Sequence, residues 1–248
     1  MRAFSTASLF GVPVAALTME ETVAVCAELV RSARPAHHVV VNAAKVVLMK
    51  DQPRLREAIE RCDLVSADGQ PIVWASRVFR RPVPERVAGI DLMERLLAES
   101  ERQAWPVFFL GATPDVLGAF ESEVRRRFPR IVVAGRHHGY FQDDGAIADA
   151  IRGSGARLLF VAMPSPRKEF FIASQGARLG PLFTMGVGGS FDVWAGRTRR
   201  APVWMQRAGL EWFHRFLQEP VRMWRRYLVG NLRFALIFLR EARTTVAG

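Results

Sequence analysis

A chain of 248 residues, half of them hydrophobic, can bury one sizeable core and carry one appendage. Its 35 basic residues outnumber 24 acidic ones for a formal charge of +11, which directs attention to anionic partners. Two cysteines, Cys26 and Cys62, are too few for a disulfide scaffold and read as core residues of a protein in a reducing cytoplasm.

The uncharged run over residues 3–19 resembles a leader, but Thr18-Met-Glu-Glu21 is a capping box that opens an amphipathic helix through Val30, so secretion is not expected. Short apolar runs follow at residues 38–41, 64–66, 107–110, 131–134, 158–162 and 182–187. Each predicts a buried strand, and the segments between them have helix length and period, as over 91–102, 114–128 and 144–153. The alternation predicts an α/β fold, a Rossmann-like and mostly parallel sheet with helices on both faces. Ligands of such sheets bind beyond the carboxyl ends of the strands. The candidates are therefore Asn42, Asp68, Gly111 to Thr113, His137 to Tyr140, Pro164 to Glu169 and Gly186 to Asp192.

Asp68 lies in Ser-Ala-Asp-Gly-Gln-Pro, directly after a strand, where an aspartate can act as a general base towards a hydroxyl. Asp-Gly before Pro is equally ordinary turn chemistry. Arg86 precedes a helix start, a place where a phosphate meets both a guanidinium and a helix dipole; a surface arginine is the plain alternative. The glycine turns Gly111-Ala-Thr-Pro114 and Gly186-Val-Gly188-Gly-Ser-Phe-Asp192 permit close approach of a nucleotide but fit neither the dinucleotide nor the Walker fingerprint. Tyr140 can stack on a base or fill a core. The pairs His37, His38 and His137, His138 lack acidic or cysteine partners at zinc spacing, so no metal site is expected. No Gly-x-Ser-x-Gly elbow marks a serine hydrolase.

After Gly196 the strand pattern stops, and Arg197-Thr-Arg-Arg-Ala-Pro202 reads as a charged connector, dividing the chain into a core over 1–195 and an appendage over 196–248. The appendage carries eleven Arg and three Glu, a net of +8, and the rest of the chain a net of +3. On a helix Arg215, Arg222, Arg225 and Arg226 share roughly a third of the circumference, although Gly209 and Pro220 break the segment into two helices. Such a face suits an anionic bilayer or a diphosphate. Only three of the 35 basic residues are lysines, so an arginine-rich bias with a solvated basic face remains the alternative. The apolar run over 234–239 is far too short to span a bilayer, and any membrane contact is expected to be peripheral.

Taken in order, Asn42, Ser-Ala-Asp-Gly-Gln-Pro, Glu85-Arg-Val-Ala-Gly-Ile-Asp-Leu92, Gly139-Tyr-Phe, Pro166-Arg-Lys-Glu169, Gly186-Val-Gly-Gly-Ser-Phe-Asp192, Arg200-Ala-Pro and Gly209-Leu-Glu-Trp-Phe-His-Arg215 resemble the WecG/TagA/CpsF family of bacterial glycosyltransferases. The resemblance extends over residues 9–234. It implies inverting transfer of a sugar from a nucleotide donor, usually UDP-linked, to a polyprenyl-diphosphate-linked sugar, at the inner face of the cell membrane and with neither cofactor nor essential metal. Asp68 looks like the family's base, Asn42 and Arg86 like active-site polar groups, and Tyr140 and Asp192 like contacts to base and ribose. Arg215, Arg222 and Arg225 match arginines of an appendage that completes the site.

Two departures stand out: Val40 where the family often has Thr, and Lys168 where Gln commonly precedes Glu169. A cation at 168 suits an acidic donor sugar such as glucuronic acid in place of N-acetylmannosamine, unless it pairs with Glu169. Homo-oligomerisation stays open. A nucleic-acid-binding protein using the basic tail, or a noncatalytic membrane adaptor on the same fold, would leave the strand-end motifs idle.

Overall fold

In the computed structural model, residues 4–218, 220–224 and 228–246 are described. The chain opens with an antiparallel hairpin of β1 (Thr6–Leu9) and β2 (Val12–Ala15), in register from Thr6 opposite Ala15 to Leu9 opposite Val12. Phe10 and Gly11 close it with φ of 53° and 79°, both positive, as a two-residue turn matched to strand twist requires. No strands were expected in this run. Four-residue strands are too short for alternation to show, and the left-handed Phe10 hides the turn.

Six strands form the main sheet in the order β4-β3-β8-β7-β5-β6: β3 (Ala36–Val41), β4 (Leu64–Ala67), β5 (Val107–Gly111), β6 (Val133–His137), β7 (Leu158–Ala162) and β8 (Phe183–Gly186). The paired registers are parallel, Val107 lying opposite Leu158 and Leu158 opposite Phe183, and helices flank the sheet as expected. Every residue of β5, β7 and β8 is buried, as in strands covered on both faces, with Thr184 the one polar side chain among them. β6 departs from its expected position over 131–134. Among the described residues β6 ends the strand order and pairs with β5, and its place is set by that pairing, by a register shift between Val107 and Phe108, and by Gly135. A Cβ on Gly135 would lie 2.6 Å from the Phe108 ring, so hydrophobicity alone could not locate this strand.

The chain divides into two compact units. One comprises Met1–Thr18, Val40–Ala88 and Thr198–Gly248; the other comprises Met19–Val39 and Gly89–Arg197. The first contains the hairpin, α2 (Ala43–Asp51), α3 (Pro53–Glu60), β4 and α4 (Gln70–Val78), together with α10 (Val203–Arg207), α11 (Glu211–Gln218), α12 (Pro220–Trp224) and α13 (Gly230–Val246). Its last helix is anchored through aromatic packing, with Phe234 5.5 Å from Phe10 and Phe238 5.5 Å from Phe79 between ring centroids. The Phe10 N–H also donates to Glu241 at 2.8 Å, and Arg233 makes a two-pronged ion pair with Asp51.

The second unit contains α1 (Met19–Arg31), α5 (Gly89–Gln103), α6 (Pro114–Arg127), α7 (Asp144–Gly153), α8 (Arg167–Leu179) and α9 (Ser190–Trp194). Phe109, Phe120 and Phe191 interlock in its core, Phe120 stacking on Phe191 at 3.8 Å. Full burial of such a side chain is worth about 1.5–3 kcal/mol. Among the described residues no helix is long and apolar enough to cross a membrane.

Candidate active site

In the first unit the chain leaves β3 at Asn42 and β4 at Asp68. Asn42 caps α2, its Oδ1 accepting the Lys45 N–H at 3.0 Å, which satisfies one of the orphan donors at a helix start. The Asp68 N–H donates to the Val41 carbonyl at 2.8 Å, and the Val87 N–H to the Ala67 carbonyl at 2.9 Å. Backbone pairing thus gathers Asn42, Asp68 and Arg86. Gly69, with φ of 113°, makes the turn after Asp68 in a region that side-chain-bearing residues rarely enter.

Side chains complete the cluster. Asn42 hydrogen-bonds the Asp68 carboxyl, and Lys45, Arg86 and Glu211 are charged groups close enough to act on it. Arg86 donates one nitrogen to the Glu211 carboxylate in a short ion pair and another to Gln206 Oε1 at 3.5 Å. Burial first, then the negative charge of Glu211, pushes the Asp68 carboxyl up to about 6, against the opposing pull of Arg86, Lys45 and the Asn42 hydrogen bond. A carboxyl tuned near neutral pH is ionised when a proton must be taken and basic enough to take it. Perturbed groups of this kind concentrate at functional sites.

Three members of the cluster escaped the sequence reading. Glu211 stands in the Gly209–Arg215 motif, a segment read for its arginines, and was given no role of its own. Gln206 carried no signal. Lys45, 4% exposed, was detectable as one of three lysines in an arginine-rich chain, placed three residues after Asn42.

The other candidates of the core lie in the second unit, beyond the carboxyl ends of β5 to β8. The Gly139 N–H donates to the Ala112 carbonyl at 2.9 Å, and a Cβ there would lie 3.2 Å from Gly111 Cα. This close approach presents Tyr140, whose side chain is 70% exposed, so Tyr140 is not the core aromatic of the alternative reading. Gly188, with φ of 55°, turns the chain from β8 towards α9, where Ser190 Oγ donates to the Val187 carbonyl and Asp192 is half-buried.

Lys168 does not have the geometry of a strand-end cation aimed into a cleft. It is buried on α8, 2.9 Å from Glu169 Oε1, and its ammonium also donates to Ser165 Oγ, which in turn donates to Glu169 at 2.9 Å. This is the pairing left open as the alternative. Gly186 makes it possible, because a Cβ there would come within 3.0 Å of Lys168 Cε.

In the first unit Arg215 is half-buried on α11. Arg222 falls in α12, but its side chain lies outside the described residues, as does the whole of Arg225. Among the described residues no three His, Cys, Asp or Glu side chains gather to hold a metal ion.

Two comparisons with known proteins bear on this geometry. The profile of the glycosyl transferase WecG/TagA/CpsF family matches residues 7–247. The chain is also similar to the N-acetylglucosaminyldiphosphoundecaprenol N-acetyl-beta-D-mannosaminyltransferase of Bacillus spizizenii, 38% identical over 176 residues that cover 71% of this chain and 68% of that protein.

Proposed function

The chain belongs to the WecG/TagA/CpsF family of glycosyltransferases, and we propose that it moves a sugar from a UDP-linked donor to a sugar carried on polyprenyl diphosphate, with inversion and without an essential metal. The observation that carries this reading is Asp68, a carboxyl raised to about 6 within hydrogen-bonding reach of Asn42 and among Lys45, Arg86 and Glu211.

The transfer balances without a covalent intermediate. Asp68 takes the proton of the acceptor hydroxyl as its oxygen attacks the anomeric carbon from the face opposite the diphosphate. The bond from that carbon to the diphosphate oxygen breaks, and UDP leaves with the electron pair. Arg86 and Arg215, joined in this proposal by Arg222 and Arg225, offset the charge that develops on the leaving diphosphate. Preorganised cations serve there because they need no reorientation as the charge appears. Asp68 afterwards returns its proton to water.

We assign Tyr140 to stacking on the nucleobase, Asp192 to the ribose, and the Gly188 turn to close passage of the nucleotide. The exposure of Tyr140 supports the first role. The relative's name supplies the acceptor class, a sugar on diphosphoundecaprenol, and its beta linkage is what inversion of an α-linked nucleotide sugar yields. Because Glu169 already balances the Lys168 charge, that lysine offers little reason to expect an acidic donor, and N-acetylmannosamine becomes the first sugar to test. With a lipid-linked acceptor, we propose that the reaction runs at the inner membrane surface, with the arginine-rich C-terminal segment against anionic lipid.

The test is transfer by the purified chain to N-acetylglucosamine on polyprenyl diphosphate, from UDP-N-acetylmannosamine and UDP-glucuronic acid, each with and without a chelator. Release of UDP that depends on the acceptor and persists with chelator is the expected result. No transfer from any UDP-sugar, or full dependence on a divalent ion, would overturn it.

A further inference from the structure

Glu211 is an unusual choice for the position it holds. A negative charge set beside a carboxylate disfavours its ionised form, and here Glu211 acts in that sense on Asp68 while Arg86 and Lys45 pull the other way. A surface ion pair would carry no such cost. The cluster therefore contains two acids and two cations where one of each would suffice for neutrality.

The local chain is built to deliver Glu211 to this place. Gly209, with φ of 69°, turns the backbone after α10, and a Cβ there would lie 3.1 Å from Gln70 Cβ and 3.4 Å from the Trp74 ring. The Leu210 N–H donates back to the Met205 carbonyl at 2.8 Å, and α11 then starts at Glu211. Gln206 fixes the other side of the arginine: its Nε2 donates to the Ala201 carbonyl at 2.7 Å, leaving Oε1 towards Arg86. Two residues of the C-terminal segment, 120 and 125 positions away from Arg86 in sequence, thus determine how its guanidinium points. The Arg86 side chain is 14% exposed and that of Glu211 34%, so an anion can reach the pair from solvent.

We propose that Glu211 is a positioning residue for the transfer reaction: from the first turn of α11 its carboxylate orients Arg86, competes with a nucleoside diphosphate for that guanidinium, and sets a negative charge beside Asp68. The inference rests on the roles given above to Asp68 as base and Arg86 as diphosphate contact. A guanidinium cannot bind a carboxylate and a diphosphate at full strength together, so donor binding loosens Glu211. The groups that face Asp68 are Asn42 and Lys45 from the start of α2, Arg86 from the segment before α5, and Glu211 from α11.

The experiment uses the full chain with Glu211→Gln, which keeps the side-chain shape and removes the charge. Removing a neighbouring negative charge lets Asp68 stay ionised in more acid solution, so the acidic limb of kcat/KM should move to lower pH. Freed from competition, Arg86 should bind UDP and inorganic diphosphate about two- to fivefold more tightly, while uridine affinity stays unchanged. Glu211→Asp, which retains the charge on a shorter arm, should keep the original pH limb and thus guards against a fold defect in the glutamine variant. An unmoved limb with unchanged diphosphate affinity would overturn the proposal. So would loss of turnover at every pH as complete as that of Asp68→Asn, since Glu211 would then be the proton acceptor. Failure of the underlying reading is distinct: Asp68→Asn would retain turnover whatever Glu211→Gln does.

Discussion

Lys168–Glu169 and Arg86–Glu211 both set a cation against a carboxylate, yet they are built for different ends. The first joins neighbours on one helix, shares a serine hydroxyl, and has both side chains about 5% exposed. The second joins residues 125 positions apart, stays open to solvent on the glutamate side, and leaves a third ionisable group, Asp68, displaced from its ordinary value. A buried pair between neighbours on one helix is structural reinforcement. A pair that shares its charges with a neighbour tunes that neighbour, and remains available to an incoming anion.

That contrast is tested most sharply at Asp68. Asp68→Asn should lower transfer by about a hundredfold to ten-thousandfold, the usual cost of losing a general base, while leaving UDP affinity intact. In the unaltered chain kcat/KM should rise with pH through about 6 as Asp68 ionises. Steady-state rates between pH 4.5 and 8 measure both, and near-normal turnover of the variant would remove Asp68 from the chemistry.

Lys168→Gln should show a different signature. It leaves the Glu169 carboxylate buried without its cation, a loss of about 3–5 kcal/mol when a buried pair is broken on one side. Urea unfolding reads that cost directly. Near-normal stability together with selective loss of one nucleotide sugar would instead restore the specificity role expected from sequence.

A smaller effect, of opposite sign, is expected for the stability of Asp68→Asn. Because the folded carboxyl is raised above its unfolded value of 3.8, the stability it contributes is fully present below about pH 4 and is lost as pH rises through 6. The amide escapes this loss. The variant should therefore gain on the parent chain as pH rises from 4, levelling off above 7 at roughly 1–3 kcal/mol. A constant difference across that range would show that Asp68 does not carry the strain.

The smallest effect belongs to a pair of neither kind. Arg233 and Asp51 face solvent, although Arg233 holds the Asp51 carboxyl below its ordinary value by hydrogen bonding. Arg233→Ala should shift Tm only slightly, less still in high salt, with no change in kcat. A large salt-independent loss would mean that α13 depends on this pair more than on Phe234 and Phe238.

Sequence alone was sufficient for the parallel α/β architecture, because β5 and β7 are uninterrupted apolar runs, β8 is broken only by Thr184, and the helices between them carry a clear period. It also singled out Asn42 and Asp68 after strands and Arg86 before a helix, three residues that the fold brings together. It did not reveal the hairpin, whose strands have four residues each, or the true span of β6, which depends on fitting Gly135 against Phe108. Above all it could not assign partners. Whether Lys168 points into a cleft or back to Glu169, and whether Glu211 belongs to an arginine-rich tail or to the surroundings of Asp68, are decided by contacts between residues distant in the chain or by the space left at Gly186. Residue type and spacing determine which elements form and which chemistry is on hand; burial and long-range charge, which exist only in the folded chain, decide which of those groups is poised to react.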